Sequence, residues 1–305
     1  MKITYTRDTK ERLDKFLTEN LPELTRSQIK KQILTGCVLV NKEVASVHRW
    51  LKKDDCIEIK SDAKKNDKKT IPHTLQPKII EQTSDYLVIE KPAGLLVHPT
   101  AKRETDTLAA WLQDNFPQIE KIGDDPIRPG IVHRLDRDVS GLMVIALTND
   151  SFDALKKQFQ KRTTKKEYLA LVHGAMQEMD GEINTPLERN KDTGLIRAQR
   201  VLPSGKSAIT LYQVVEKFIN YTLIKVQIKT GRMHQIRAHL FSIGHSIVGD
   251  KLYQTKDLRK KNKTIDDTRI FLHAHFLSFQ DLNNTWQKYQ SPLPKELKDF
   301  LKTIK

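Results

Sequence analysis

The stretch 128–148, RPGIVHRLDRDVSGLMVIALT, sets an Arg-Leu-Asp-Arg-Asp knot between two apolar runs. Ile131 and Val132 lead into the knot, and Leu142 to Leu147 lead out of it. Aliphatic and β-branched residues follow one another there without polar alternation, which predicts two buried strands joined by a charged turn. Asp136 draws attention because it closes the lead-in and lies beside Arg134 and Arg137. A carboxylate next to arginines stays ionised at neutral pH and suits nucleophilic or electrostatic work better than general-acid work. The knot reads equally well as an Asp–Arg pair capping a turn, since structural ion-pair networks perturb carboxylates too. Taken alone, it does not choose. Asp138 is no acid–base partner in this reading, because two residues along an extended chain it faces the opposite side.

Outward from the knot, the pattern from residue 78 is strand-rich with interspersed helices. YLVIEKPAGLLVHP reads as strand, Pro-Gly turn, strand, and DTLAAWLQDNF as an amphipathic helix. DSFDALKKQFQK is a second helix, KEYLALVHG and TLIKVQIKTG are strands, and GRMHQIRAHLFSIG is a helix ended by Gly244. FLHAHFLSF is a further strand, and PKELKDFLKTI a terminal helix with proline in its first turn. Mixed elements without regular βαβ spacing predict an α+β domain over 78–305.

The chain has 305 residues and a formal net charge of +15, which points to a polyanionic partner, nucleic acid first. Residues 1–76 carry +6 and the remaining 229 carry +9, so the N-terminal quarter is about twice as basic per residue. No apolar stretch approaches the roughly 18 residues needed to span a bilayer. The start lacks the apolar core of a signal peptide, so a cytoplasmic location is the expectation; a monomer is expected as well. Cys37 and Cys56 are too few for a disulfide framework or a zinc site, and read as buried free thiols.

No phosphate-cradling motif for nucleotides is present, and the expectation is that no cofactor is used. His234 and His239 are five apart on their helix, and His273 and His275 alternate on a strand without an obvious third ligand. Neither pair has metal-binding spacing, so no metal is expected.

At the N-terminus, RLDKFLTENL places Leu13, Phe16 and Leu17 on one helical face, and Pro22 ends it. TRSQIKKQILTG opens with a capping box, Thr25 and Gln28, and closes at Gly36. Ile29 and Ile33 face inward, while Arg26, Lys30 and Lys31 stay outside. CVLVNKEVA and DCIEI are short strands, and residues 61–77 are polar, charged and proline-bracketed, the composition of a linker. Residues 10–60 resemble the small RNA-binding domain of ribosomal protein S4. That resemblance implies that Arg26, Lys30 and Lys31 face phosphates. It also departs at Lys42, where the family usually has glycine at the turn.

HRLDRDVSGLMVIA resembles the catalytic signature of RluA-like pseudouridine synthases. EKPAGLLVHP upstream, KEYLALVHG, TGRMHQIRAHLFSIGHSIVGDKLY and FLHAHFLSF downstream follow in that family's order. With the N-terminal domain, the subgroup that modifies large-subunit ribosomal RNA fits best. The resemblance implies that Asp136 is the catalytic aspartate, that Tyr168 packs against the target base and that Arg237 pairs with the aspartate. Read from sequence alone, Arg237 is an exposed helical arginine and Tyr168 a half-buried strand tyrosine. The reaction requires the uridine to leave its stack. Arg134 is the first candidate to enter the vacated space or meet phosphate, with His133 beside it. Lys91, Arg232 and His234 are further candidate RNA contacts. Val139 stands where the family usually has threonine, and Met233 where it often has threonine; neither change removes a reacting group. The competing readings are an RNA-binding factor without chemistry and a glycoside hydrolase. The latter fails for want of a second carboxylate at the proper separation.

Overall fold

The computed structural model describes residues 2–22, 24, 26–34, 36–59, 75–100, 104–190, 193–199, 204–261 and 269–304. The chain divides into two units, one of residues 1–72 with 112–129 and one of residues 73–111 with 130–305. The expected linker falls largely outside the described residues. No helix among those described is long and apolar enough to cross a membrane.

The first unit begins with strands β1 (Lys2–Thr4) and β2 (Glu11–Arg12), then helices α1 (Leu13–Asn20) and α2 (Arg26–Leu34). Short strands follow: β3 (Val38–Val40), β4 (Glu43–Val44), β5 (Trp50–Leu51) and β6 (Cys56–Ile59). Four of them form a sheet in the order β1-β6-β3-β4. Leu13, Phe16 and Leu17 of α1 and Ile29 and Ile33 of α2 pack with Val38, Val40 and Ile57 into one core. The expected helical stripes are therefore the buried ones. At the β3–β4 turn Asn41 and Lys42 both take left-handed backbone, at φ 54° and 69°. This is the two-residue geometry in which glycine is favoured, and Lys42 accepts it. Neither cysteine forms a disulfide; Cys37 is buried and Cys56 only partly so. Thr25 and the side chains of Arg26, Gln28 and Lys31 lie outside the described residues, and with them the capping box; Lys30 is half-buried.

The second unit is built on one mixed sheet. Its strands are β7 (Lys78–Gln82), β8 (Tyr86–Lys91), β9 (Ser140–Ala146), β10 (Lys165–His173), β11 (Asp180–Asn184), β14 (Ile209–Lys217), β15 (Tyr221–Ile228), β16 (Leu272–Gln280) and β17 (Trp286–Gln290), with a separate hairpin of β12 (Leu187–Arg189) and β13 (Ile196–Ala198). Strand order is β11-β14-β15-β10-β16-β9-β8-β7, with β17 beside β16. All pairings within it are antiparallel except β9 with β16. The expected α+β class, with a largely antiparallel mixed sheet, is what the chain adopts.

The helices are α3 (Leu108–Asn115), α4 (Asn149–Lys161), α5 (Gln235–Ser242), α6 (Lys256–Lys261) and α7 (Lys295–Thr303). Helix α4 shows how sequence sets its ends. Thr148 Oγ1 accepts from the Ser151 amide at 3.2 Å, and Arg162 closes the helix in left-handed backbone. Phe152 and Leu155 are its buried face. Helix α7 starts one residue later than read, with Pro294 as its N-cap.

Two expected strands are absent. Leu96, in the GLLVHP run, makes only an isolated bridge to Thr107, and Ile131 only one to Ile145. Pro129 supplies no amide hydrogen, and Gly130 turns the chain at φ 69°, so the lead-in to the knot does not extend into a ladder. The lead-out does: all seven residues of β9 are buried. Gly141 fits there because its φ is 121° and a Cβ would stand 2.3 Å from the Ala274 carbonyl oxygen.

Candidate active site

The turn after the failed strand carries the knot into a cleft of about 260 Å³. Arg134, Asp136, Asp138, His234, Arg237 and Asp250 are among its lining residues. Asp136 and Asp138 line the same cleft, because the chain between them turns and is not extended. Arg137 does not pair with Asp138; its Nε donates to the Gly94 carbonyl at 3.1 Å.

Arg237 is buried, contrary to the exposed reading. Helix α5 is covered along Gln235–Leu240, and its polar groups find partners as buried groups must. Gln235 accepts from Thr230 and Arg232 and donates to Ile209 and Thr210, and His239 bridges Thr210 and Thr185. Arg237 itself is gripped by Asp250, with Nε to Oδ2 at 2.7 Å and Nη2 to Oδ1 at 2.9 Å. Its Nη1 donates to Asp136 Oδ2 at 3.1 Å. Burial opposes the guanidinium charge, but the hydrogen bonds and charge of Asp250, joined by Asp136, outweigh it and raise the pKa. The Asp250 carboxylate also accepts from the Leu252 and Tyr253 amides, so its Oδ1 takes three hydrogen bonds and its Oδ2 one. Gly249 before it has no room for a side chain, since a Cβ would meet the Arg269 carbonyl at 2.1 Å.

Asp250 and Tyr253 were not singled out from sequence. The arginine lies 13 positions from Asp250, and only the fold joins them. The GD pair within SIVGDKLY was a weak signal. The Tyr253 ring lies 5.1 Å from the Arg237 guanidinium carbon, a cation–π contact. Its hydroxyl accepts from the Ile196 amide and bonds His234 Nδ1, and burial pushes its pKa up to about 12.

His234 does not sit on the helix. It is the residue before α5, in left-handed backbone at φ 51°, a conformation histidine tolerates better than most residues. Its Nε2 stands 3.9 Å from Asp136 Oδ2. Burial lowers its pKa although Asp136 works the other way. Tyr168, in β10, is buried rather than half-buried; burial first and the Asp136 charge second raise its pKa, which keeps the phenol protonated. Arg134 is exposed at the cleft, 3.4 Å from His98 Nε2. Arg232 is exposed, its Nε donating to the Ser207 carbonyl at 3.3 Å.

Two candidates turn inward instead. Lys91 is fully buried and donates to the carbonyls of Pro92, Leu95 and Arg137 at 2.8–2.9 Å, tying the Pro-Gly turn to the knot. Burial pulls its pKa down to about 7 against the pull of Asp138 and Asp136. It is spent on the protein and does not meet RNA. His133 stacks on Phe159 at 4.4 Å, and its Nε2 accepts from the Val144 amide. Burial and then Lys166 lower its pKa to about 3, so it is a neutral packing group and not a phosphate contact.

Among the described residues, no group of three or more His, Cys, Asp or Glu is arranged to hold a metal ion. What the site offers is two cleft carboxylates with open coordination, Asp136 and Asp138, a buried cation that steadies Asp136 alone, and a protonated phenol under the electrostatic influence of Asp136.

Residues 85–242 match the family model described as RNA pseudouridylate synthase, and residues 11–55 match the S4 domain. The ribosomal large subunit pseudouridine synthase D of Blochmanniella floridana is 36% identical, over 96% of this chain and 94% of its own. An uncharacterized RNA pseudouridine synthase of Aquifex aeolicus is also 36% identical, over 94% of this chain and 92% of its own. Among solved structures, human RNA pseudouridylate synthase domain containing 1 superposes with a TM-score of 0.59 at 25% identity, covering 72% of this chain and 84% of that one.

Proposed function

The chain belongs to the RNA pseudouridylate synthase family, and on that premise we propose that it isomerises uridines of large-subunit ribosomal RNA with Asp136 as the reacting carboxylate. The observation that carries this reading is the Asp250–Arg237–Asp136 chain, which ends on a cleft carboxylate whose Oδ2 is held by the buried arginine and whose Oδ1 is left to the cleft. Several relatives of similar length carry names specifying the large ribosomal subunit. The net charge of +15 and the S4-type module suit a folded polyanion.

The reaction breaks the bond from ribose C1′ to uracil N1 and makes one from C1′ to C5. The proton lost from C5 balances the one gained by N1, so no electrons and no co-substrate are consumed. Asp136 enters by attack at C1′, by attack at C6 of the ring, or by removing the C2′ proton. In each route a partly desolvated, correctly aimed carboxylate is required, and Arg237 offsets the cost of holding it there. Tyr168 packs against the extruded base and, being protonated, can donate to it. Arg134 faces the space the base vacates, and the exposed Arg232 is a further RNA contact. The protein works as a cytoplasmic monomer on ribosomal particles or their precursors.

The test is an unmodified large-subunit rRNA transcript labelled with tritium at uridine C5. Tritium release by the protein, abolished in Asp136→Asn with RNA affinity retained, is the expected outcome. An Asp136→Asn variant that releases tritium at the original rate would overturn the reading.

A further inference from the structure

The strand that follows Asp136 is held to its parallel neighbour by very little backbone. β9 and β16 pair only through Ser140 with His273 and Gly141 with Ala274, whereas β8 and β9 pair over Tyr86–Lys91. This short seam matters for the site. The Asp136 main-chain carbonyl accepts from the Val139 amide at 3.2 Å, so its turn runs directly into Ser140. On the other side of β16, Ala274 is also the register partner of Tyr168. One residue of β16 thus stands between the strand that launches from Asp136 and the strand that carries the phenol.

A buried chain of side-chain hydrogen bonds crosses the seam. Arg269 Nη2 donates to Ser140 Oγ at 2.8 Å, Ser140 Oγ meets His273 Nδ1 at 2.8 Å, and His273 Nε2 meets Ser291 Oγ at 3.1 Å. Ser291 Oγ donates to Glu90 Oε2 at 2.7 Å. The direction of every proton follows from the Glu90 end once the imidazole is neutral. Ser291 gives its one hydroxyl proton to the Glu90 carboxylate, so it accepts from His273 Nε2–H. The neutral ring then accepts at Nδ1 from the Ser140 hydroxyl, whose oxygen takes the arginine's hydrogen. Such a chain requires a neutral imidazole, and burial holds the His273 pKa down to about 4. Its members come from β8, β9, β16, the segment just before β16 and the residue after β17.

We propose that His273 is a positioning residue for the isomerisation: through Ser140 it locks the two-residue seam and thereby sets the spacing between Asp136 and Tyr168. The proposal rests on the reading of Asp136 and Tyr168 given above. His273 does not touch substrate. It acts by fixing where β9 begins, and a shift of about 1 Å in a reacting group is enough to cost about 100-fold in rate.

The two halves of the imidazole can be removed separately. In His273→Asn the side-chain oxygen replaces Nδ1 and keeps the Ser140 hydrogen bond while Ser291 is lost. In His273→Gln the amide replaces Nε2, keeps Ser291 and loses Ser140. Ser140→Ala removes the same link from the other side and gives a second variant should His273→Gln not fold. Tritium release from the labelled transcript is measured as kcat and KM beside thermal unfolding. The expected result is a drop in kcat of about 10- to 100-fold in His273→Gln and Ser140→Ala, with KM unchanged and His273→Asn close to the parent. Equal kcat in His273→Asn and His273→Gln, or losses confined to KM, would overturn the proposal. Asp136→Asn run alongside separates the two ideas: activity in that variant defeats the catalytic reading, whatever the His273 variants do.

Discussion

An arginine fork grips an aspartate in each unit of the molecule, and the two forks differ in what they leave over. In the N-terminal unit, Arg12 Nε and Nη2 both lie 3.0 Å from the buried Asp14 carboxylate, with the arginine side chain 35% exposed. In the sheet unit, Arg237 grips the buried Asp250 in the same bidentate way, but its side chain is only 10% exposed and its Nη1 continues to a second carboxylate. Water solvates the first fork. The second is closed off, so its remaining donor must be used by protein, and Asp136 uses it. One arrangement finishes a helix start; the other leaves a carboxylate steadied at one oxygen and open toward a cleft.

Exchanging single atoms breaks this comparison in graded steps. Asp136→Asn should remove activity by about 10⁴-fold or more while unfolding in denaturant stays near the parent, because a partly exposed carboxylate contributes little to stability. Asp250→Asn should do the reverse in emphasis. It leaves Arg237 short of a buried counter-charge and costs about 3–5 kcal/mol in urea unfolding, with activity lost as Arg237 moves. An Asp250→Asn variant as stable as the parent would show that the fork is not what holds Arg237. Arg237→Lys keeps the charge but cannot serve two carboxylates in a plane, and a fall in kcat of about 100-fold is expected. Asp14→Asn should destabilise the N-terminal unit and leave kcat untouched; a kcat effect would mean the two forks are not separate in function.

The smallest effect is with pH. His273 and His133 titrate near 4 and 3 when folded and near about 6.5 when unfolded. As pH falls below 6.5 the unfolded chain takes up protons that the folded chain refuses, so stability is complete above that pH and declines through the window toward 4. Urea midpoints measured from pH 7.5 to 5 should fall in the parent and fall less steeply in His273→Asn. Equal slopes would argue that His273 is not neutral in the folded protein.

What was legible in the sequence follows from range. The β9 run and the apolar faces of α1 and α4 are local patterns, and the chain adopts them. The Ile131–Val132 run failed as a strand because a proline and a left-handed glycine precede it, and apolar content outweighed them in the reading. Lys91 read as a solvent group because its three acceptors come from two turns, one of them 46 residues away. Arg237 looked exposed for the same reason: its burial is created by Asp250 and Tyr253, whose approach no periodicity within α5 encodes.

The place of β16 in the sheet has a consequence for synthesis. β9 and β10 follow one another closely in the chain, yet β16 lies between them. A nascent chain that has emerged as far as residue 271 holds Asp136, Tyr168 and Arg237 but lacks the strand that spaces them, and the gap closes only by a late, long-range insertion. The sheet that carries Asp136 and Tyr168 is therefore completed only by its C-terminal segment, and fragments ending before that strand should release no tritium from the labelled transcript.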